Sequence, residues 1–402
     1  MLSSQVCAQQ QVDGIVIDRD TGKPVPFASL VILGTSNGTS TNLNGQFSLI
    51  LADTFSIKVT CVGYESALIR SVEEAQVIKI KAIATHLDAV LVYNKAINPN
   101  KIVRKAFASV SDNYDTKSFL QKFFYRHYSK TDSAYERLTE AAVDIWKHDG
   151  YRTTRKYAGE KEEMRINQLR RSLDIKGMVQ AQKPLHLSYI LQADIVGYQN
   201  GMTGAGLNAM EEVSNMKADI LNYSFTFNGT TNYDGQEVYK IDYARKADSV
   251  LTTSGYRVFP ETSGSLFIAT DNYAFVKTEG VKRDEFNTIR STAYYRKYGT
   301  KYYPYHLIRE GESHFQGVRS FHVELMSQEI RHGEHEQFKG SEPGRKALLQ
   351  IPYDSGFWSS TSILKTTPLE DDIIRNLGAG ISLNKQFYLY RLYEQNVTDG
   401  GK

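Results

Sequence analysis

Two histidines near the C-terminus, His332 and His335, are the residue types in this chain that best match a metal site. They lie three positions apart in His-Gly-Glu-His-Glu, whereas zinc proteases space their histidines four apart with a glutamate directly after the first. On a strand the two side chains would point to opposite faces. The sequence therefore favours a polar turn at a strand end, and a metal-dependent hydrolase is the remote alternative.

Other catalytic motifs are equally weak. Residues 204–209 (Gly-Ala-Gly-Leu-Asn-Ala) approximate a dinucleotide-binding fingerprint, but that fingerprint needs a βαβ unit and an acidic residue about 20 positions further on. A loop is the favoured interpretation. The sequence contains no Walker-type phosphate loop. We therefore predict no catalytic residue, no metal ligand, no cofactor and no enzymatic activity.

Basic side chains recur between residues 147 and 171. They are Lys147, Arg152, Arg155, Lys156, Lys161, Arg165, Arg170 and Arg171, and Glu160, Glu162 and Glu163 offset them. The default interpretation is a solvated face, and contact with acidic lipopolysaccharide or another envelope partner is the alternative. Over the whole chain 48 Lys and Arg balance 45 Asp and Glu, and the charges are interspersed, which argues against nucleic acid as a partner.

The composition otherwise indicates a folded protein rich in β-structure. A length of 402 residues predicts two or three domains. The 26 Tyr and 18 Phe suit half-buried strands better than they indicate a binding surface. No stretch approaches the roughly 20 consecutive apolar residues of a membrane helix, so we predict no transmembrane segment.

Residues 1–8 resemble the remnant of a secretory signal. Val6 and Ala8 are small residues at the −3 and −1 positions of a cut after Ala8, and a frayed polar terminus is the alternative. Cys7 lies in this segment and lacks the sequence pattern of a lipid-attachment site. The second cysteine, Cys61, alternates with Ile57 and Val59 along a strand, so we expect it to be buried. Removal of the signal would leave no disulfide.

Residues 11–92 show short strands separated by turn signals. The predicted strands are Val12–Asp18, Phe27–Leu33, a short strand between Asn37-Gly38 and Asn44-Gly45, Phe47–Ile50, Phe55–Val62 and Val77–Ile80. Roughly seven such strands with turns every 8–12 residues predict an antiparallel β-sandwich.

Four motifs in this segment carry a family resemblance. They are Gly14–Asp18, Thr21–Ala28, Gly38–Phe47 and Val62–Glu65, in that order. The series closely resembles the carboxypeptidase-regulatory-like domain, a transthyretin-like sandwich that occurs in secreted and outer-membrane proteins. The resemblance implies an accessory role, since this domain has no active site of its own. The segment itself contains one histidine, His86, and no cluster of catalytic residue types.

Downstream of this segment the pattern predicts a helix followed by strands. Pro99 begins the helix, and the strands are Phe119–Arg126 and Leu138–Trp146. Together with Phe357-Trp358 and Pro368–Glu370, these motifs resemble a set of uncharacterised envelope proteins that carry the same regulatory-like domain.

The central part of the chain divides into two patterns. Glu160–Ala218 predicts helices and loops, whereas Asp219–Glu336 predicts hairpins with turns at Asn228-Gly229, Asp234-Gly235 and Asp271-Asn272. This meander resembles the curved antiparallel sheet of lipoprotein-carrier-like periplasmic proteins. A sheet with one concave face can hold an apolar ligand or a partner strand.

The sequence thus predicts a mainly β protein with some α-structure. Residues 9–92 form a seven-stranded sandwich, and residues 93–402 form an α+β domain with a curved antiparallel sheet. The leading functional hypothesis is a non-enzymatic interaction or accessory protein of a Gram-negative cell envelope, linked to outer-membrane transport or surface assembly through a protein partner. The alternative is a periplasmic carrier or binding protein for an apolar or glycan-derived ligand. Both place the chain in the periplasm or at the outer membrane.

Overall fold

The structure is a computed structural model in which two β regions follow each other along the chain. It describes residues 9–83, 97–132, 134–152, 162–172, 185, 187–197, 216–217, 220–245, 250–251, 257–258, 261–314, 317–333, 338, 340, 347, 351, 353–360, 369–378, 380–389 and 392. An N-terminal pair of sheets precedes a ten-stranded antiparallel sheet. The predicted fold class, mainly β with some helix, is confirmed.

The N-terminal region is the seven-stranded sandwich that the turn pattern predicts. Its strands are β1 (Gln9–Asp18), β2 (Ser29–Ile32), β3 (Gly38–Ser40), β4 (Gln46–Ala52), β5 (Ile57–Thr60), β6 (Ala67–Ile69) and β7 (Val77–Ile80). One sheet has the order β4-β1-β7 and the other the order β3-β2-β5-β6. Val16, Leu30 and Phe47 are fully buried between the sheets. Cys61 is buried in the same core, as predicted, and burial raises the pKa of its thiol to about 11.

Two local features of the sandwich differ from the prediction. Phe27 does not begin the second strand: its φ is +58°, and its ring contacts Tyr294 and His306 of the large sheet. The sequence pattern also missed β6 and the short helix α1 (Val72–Gln76). Both elements are too short for hydrophobic periodicity to reveal them.

Short helices flank the large sheet. They are α2 (Pro99–Ala108), α3 (Val110–Asn113), α4 (Leu187–Leu191), α5 (Ser355–Ser360) and α6 (Leu369–Gly378), with a further helical segment at residues 383–389. α2 begins where predicted, because the Asn98 side chain accepts a hydrogen bond from the backbone N–H of Lys101 and Pro99 fits the first turn. None of the helices in the described residues is both long and apolar enough to span a membrane.

The second β region is a ten-stranded antiparallel sheet. Its strands are β8 (Phe119–Thr131), β9 (Ala134–Lys147), β10 (Glu162–Arg171), β11 (Tyr223–Tyr233), β12 (Gln236–Arg245), β15 (Glu261–Ala269), β16 (Phe275–Arg283), β17 (Asn287–Tyr298), β18 (Lys301–Ser313) and β19 (Arg319–Arg331), and a separate ribbon pairs β13 (Val250–Leu251) with β14 (Arg257–Val258). The order is β10-β9-β8-β19-β18-β17-β16-β15-β12-β11. The last strand, β19, therefore returns to pair with the first, β8.

Two predictions within this sheet are wrong. Glu162–Arg171, predicted as helix and loop, is the edge strand β10, whose alternation is interrupted by a bulge. Asn228-Gly229 is a bulge within β11, where Gly229 has a φ of +84° and Asn228 donates to the Asp242 carboxylate at 2.7 Å. The turn at Asp234-Gly235 is confirmed, with positive φ at both residues.

The two faces of the large sheet have different covers. We call the face that carries Phe119, Leu307 and Leu325 the inner face, and the face that carries Phe124 and Glu324 the outer face. α2 and α4 cover the inner face. The sandwich covers part of the outer face, and α6 covers another part over β9. A functional surface on the outer face must therefore lie between the sandwich and the C-terminal helices.

Candidate functional site

The hairpin between β2 and β3 fixes the sandwich on the outer face. The Ser36 hydroxyl accepts a hydrogen bond from the backbone N–H of Ile330 at 3.0 Å and donates to its carbonyl at 3.3 Å. The guanidinium of Arg296 donates to the Ser36 carbonyl at 2.7 Å. A second contact pairs Lys58 with Asp234 at 2.5 Å. Backbone and side-chain groups together therefore set the position of the sandwich.

This hairpin also contains a pattern that sequence reasoning passed over. Gly34-Thr-Ser-Asn-Gly38 matches the Gly-x-Ser-x-Gly spacing of a hydrolase elbow. That elbow requires a strand-to-helix turn with an exposed serine, whereas this segment joins two strands and Ser36 is buried against Ile330. The pattern therefore serves docking here.

A row of buried charges crosses the outer face beside the sandwich. Glu140 accepts hydrogen bonds from Arg126 Nε at 2.8 Å and from Arg170 Nε at 2.5 Å. Arg126 lies 3.6 Å from Glu324, which contacts the ring of His306 at 3.1 Å. Strand register places Arg126 directly opposite both Glu140 and Glu324. We call these five residues the charge ladder.

The two carboxylates of the ladder are held in their charged forms. Burial alone would raise the pKa of Glu140, but the two arginines outweigh it and lower that pKa. Burial also opposes ionisation of Glu324, yet hydrogen bonds from two histidines lower its pKa. Burial alone would lower the pKa of His322. His322 lies 2.9 Å from Glu310 and also contacts Glu324, and these two carboxylates raise the pKa of His322 to about 9. Charge pairing therefore outweighs the opposing effect of burial at all three groups, as expected for an interior ion network.

The end of the ladder has the three groups of a Ser–His–acid triad. Ser40 Oγ lies 2.8 Å from His306 Nδ1, and Glu324 contacts the opposite ring nitrogen. Since a carboxylate only accepts, His306 Nε2 carries a proton and donates to Glu324, and in the neutral tautomer Nδ1 accepts from the Ser40 hydroxyl. Both Ser40 and His306 are 0% exposed, so a substrate cannot approach Oγ. The arrangement joins the sandwich to the ladder and leaves no room for catalysis.

A cleft of about 340 Å³ opens between the sandwich, the outer face and α5. Its lining residues are Ile32, Asn37, Gly38, Leu49 and Ile50 from the sandwich, Lys122, Phe123, Ala142, Val143, Asp144, Asn167, Gln328 and Glu329 from the sheet, and Phe357 from α5. Small-molecule sites typically measure ~300–1,000 Å³, lie between domains and combine apolar walls with a few polar groups. We call this cavity the interdomain cleft and take it as the candidate functional site.

Asp144 is the most buried charged residue of the interdomain cleft, with 3% of its surface exposed. Its Oδ2 accepts a hydrogen bond from Arg165 at 2.9 Å. Its Oδ1 has no hydrogen-bond partner among the described residues. A buried acceptor left in this state costs about 1–3 kcal/mol of stability.

The sequence-predicted metal candidate lies away from the cleft. His332 follows β19, and its Nε2 is 2.9 Å from the Asp115 carboxylate and 3.0 Å from the Tyr303 hydroxyl. In the part of the chain that the structure describes, no three His, Cys, Asp or Glu residues are grouped to hold a metal. His335 and the glycine-rich residues 204–209 lie outside the described residues.

The solvated-face interpretation of the basic stretch is wrong for two of its members. Lys147 is 2% exposed and pairs with Glu162, and Arg170 belongs to the buried charge ladder. Arg170 reaches inward because β10 lies beside β9, which carries the buried Glu140. Lys147 ends β9 and lies opposite Glu162 of β10 in strand register. Arg155, Lys156 and Lys161 lie outside the described residues.

The sequence predicts a ligand or a partner strand on one face of this sheet without saying which face. The inner face is packed with the chain's own side chains. Even its buried carboxylate is satisfied internally, since Asp194 accepts from the hydroxyls of Tyr151 and Tyr295 at 2.8 Å each. Among the described residues a cavity of about 50 Å³ is left beside Tyr223 and Tyr243. That is well below the ~300–1,000 Å³ of typical small-molecule sites.

Comparison with known proteins identifies the sandwich. Residues 12–92 match the family model of the CarboxypepD_reg-like domain, so the resemblance stated for this segment is confirmed. A β-rich region follows the matched residues. No curated protein sequence matches the chain.

Three solved structures show distant similarity to the chain. A LolA superfamily protein from Nitrosomonas europaea is 13% identical, with 60% of this chain and 96% of that one covered at a TM-score of 0.23. A putative outer membrane lipoprotein-sorting protein domain from Vibrio parahaemolyticus is 12% identical. The match covers 58% of this chain and 91% of that one at a TM-score of 0.24. A putative membrane-associated protein of unknown function from Bacteroides fragilis is 9% identical. The match covers 81% of this chain and 97% of that one at a TM-score of 0.15. Scores at this level do not establish a shared function.

Proposed function

We propose that this chain is a non-enzymatic accessory protein of a bacterial cell envelope that binds a small ligand in the interdomain cleft. The observation that carries the proposal is the cleft of about 340 Å³ between the sandwich and the sheet, where polar groups such as Lys122 and Asn167 lie beside the apolar ring of Phe357. Small-molecule sites typically combine this size, this place between two regions and this mixed lining.

The fixed position of the sandwich also supports binding. Ser36 and Ser40 attach the sandwich to the outer face, so the walls of the cleft are held in place before a ligand arrives. A preformed site avoids part of the entropic cost of binding. The envelope location and the accessory role rest on the CarboxypepD_reg-like match, given the secreted and outer-membrane proteins in which such domains occur.

Native mass spectrometry of the full chain, purified from the envelope of its own host, tests the proposal. We expect a co-purified small molecule on the wild-type chain. Asn167→Phe should abolish this adduct, because Asn167 lines the cleft from edge strand β10 and a larger ring there fills it. Thr226→Phe, an exposed position on the opposite edge strand β11, is the matched control and should keep the adduct.

Two results would contradict the proposal. An adduct that persists in Asn167→Phe would place the ligand elsewhere. A stoichiometric protein partner with no small molecule would instead favour an interaction protein, the leading hypothesis from the sequence.

A further inference from the structure

We infer that the sandwich docks reversibly on the outer face, so that the chain exchanges between a predominant docked state and an open state in which both regions stay folded but lie apart. Two polar groups at the docked interface carry the inference, Arg296 of the sheet and Ser29 of the sandwich. The interdomain cleft takes one wall from each region, so the open state also separates the walls of the cleft.

Arg296 is a buried cation of the docked interface. It is 5% exposed, and its guanidinium donates to the Ser36 carbonyl of the docked hairpin at 2.7 Å. A Cβ built on Gly38 of the same hairpin would lie 2.8 Å from Nη1, so the hairpin itself keeps water from the guanidinium. The ring of Tyr305 lies 5.7 Å away, and among the described residues no carboxylate lies within ion-pair distance.

The lack of a counter-charge makes docking costly at this position. Burial lowers the pKa of Arg296, whereas at the similarly buried Arg126 the ladder carboxylates overcome burial and raise the pKa. Taking an unpaired charge out of water costs more free energy than one hydrogen bond to a carbonyl returns. In the open state water solvates the guanidinium, so this cost belongs to the docked state alone.

Ser29 adds a second cost on the sandwich side of the interface. It is 0% exposed and lies directly opposite Ser40 in strand register, so it shares the face from which Ser40 reaches His306. Its hydroxyl has no hydrogen-bond partner among the described residues. Docking therefore takes away the hydrogen bonds that this hydroxyl makes with water in the open state and replaces them with none.

The links that favour the docked state are largely polar. They are the hydrogen bonds of Ser36 with Ile330 and of Ser40 with His306, the ion pair of Lys58 with Asp234, and the backbone bond from Gly63 to Asn232. The apolar part centres on Phe27, which packs against Tyr294, Tyr305 and Ile308. Regions of one chain move relative to each other unless their interface is large and hydrophobic. These links and the two costs together leave the docked state only moderately favoured.

Hydrogen exchange of the ligand-free full chain, resolved to single amides, tests reversible docking. Two amides report on the interface, since Gly63 donates to a carbonyl of β11 at 2.8 Å and Ile330 donates to the Ser36 hydroxyl at 3.0 Å. Leu30 in the central strand β2 and Leu325 in the central strand β19 report on the two folded regions. We expect the interface amides to exchange at least about tenfold faster than the other two, because opening exposes them without unfolding either region.

Variants with opposite expected signs sharpen the test. Arg296→Gln removes the buried charge but keeps a donor for the Ser36 carbonyl, so exchange at the interface amides should slow at least about fivefold. Arg296→Lys keeps the charge and is the matched control, which should exchange no more slowly than wild type. Ser40→Ala removes a link of the docked state and should speed exchange at the interface amides more than at Leu30.

Two results would overturn reversible docking. The first is exchange at Gly63 and Ile330 as slow as at Leu30 and Leu325, since docking and folding would then be lost together. The second is exchange at the interface that Arg296→Gln leaves unchanged or speeds up, since the buried charge would then not oppose docking. If Arg296→Gln does not fold, Ser29→Ala takes its place and should slow the same two amides. No ligand enters this experiment, so the native adduct decides the proposed function separately.

Discussion

The inner and outer faces of the ten-stranded sheet are buried by different means. On the inner face, apolar and aromatic side chains such as Phe119, Tyr125 and Leu325 pack beneath short helices, and the buried Asp194 carboxylate accepts from two tyrosine hydroxyls. On the outer face, Glu140 and Glu324 are just as buried, but each is held by cationic partners. Apolar packing tolerates any complementary cover, whereas a charge network requires each partner in place. The comparison indicates that the inner face holds the fold and the outer face positions the sandwich and the cleft.

The largest expected effect is on the inner face. Phe119→Ala removes a fully buried ring that packs against Tyr151 and Tyr303, and we expect a loss of about 3–5 kcal/mol in the free energy of unfolding. Urea unfolding measures this loss. Phe286→Ala, at a position with 43% exposure, is the control and should stay within about 0.5 kcal/mol of wild type. If Phe119→Ala lost as little free energy of unfolding as Phe286→Ala, the inner face would not be a packed core.

Next in size is the loss of one ladder carboxylate. Glu140→Gln leaves the guanidinium groups of Arg126 and Arg170 buried without their counter-charge, and we expect a loss of about 3 kcal/mol. Because its folded pKa is lowered, Glu140 contributes this stability fully above an unfolded pKa of about 4.3 and loses it as the pH falls through the folded value. The gap between variant and wild type should therefore narrow below about pH 4. Glu261→Gln, at an exposed position, is the control and should change the free energy of unfolding little. If Glu140→Gln also changed it little, the contrast between the two faces would be lost.

A third test uses alkaline pH. The folded pKa of His322 is about 9, above an unfolded value near 6.5, so its contribution is fully present below about pH 6.5 and is lost as the pH rises through about 9. The contribution is roughly 3 kcal/mol. Urea unfolding from pH 6 to 10 should show this decline in wild type and in the control His314→Asn, which changes an exposed histidine. His322→Asn should show a flatter profile, and a parallel decline in that variant would assign the effect to another group.

The sequence predicts the sandwich and most hairpins because their signals are local. Asp234-Gly235 forms its turn whatever the rest of the chain does, and the four motifs of the sandwich lie within one short segment. A signal for the outer face was also present. Glu140 and Asp144 lie four positions apart in a mainly apolar strand, so they share a face and need partners there.

The partners of these carboxylates could not be predicted. Arg126 reaches Glu140 from one neighbouring strand, and Arg165 reaches Asp144 from the edge strand that the sequence pattern missed. Strand pairing and register set both contacts, and neither is local. The interdomain cleft depends further on docking, since Asn37 of the sandwich faces sheet residues more than a hundred positions away.

The smallest predicted effect tests the junction between the two regions. Ser40→Ala removes the hydroxyl that pairs with His306 Nδ1 and leaves this buried ring nitrogen without its partner, so we expect a loss of about 1–2 kcal/mol by urea unfolding. Ser29 gives a matched control: it is also 0% exposed, it lies opposite Ser40 in strand register, and its hydroxyl has no partner among the described residues. Ser29→Ala should therefore be neutral or slightly stabilising. Equal losses in the two variants would mean that the contact with His306 adds nothing to docking.

Ligand binding in the cleft should survive Ser40→Ala, because Ser40 does not line it. An ester-hydrolysing activity that disappears in Ser40→Ala would show instead that the buried Ser–His–Glu group opens and works as a catalyst.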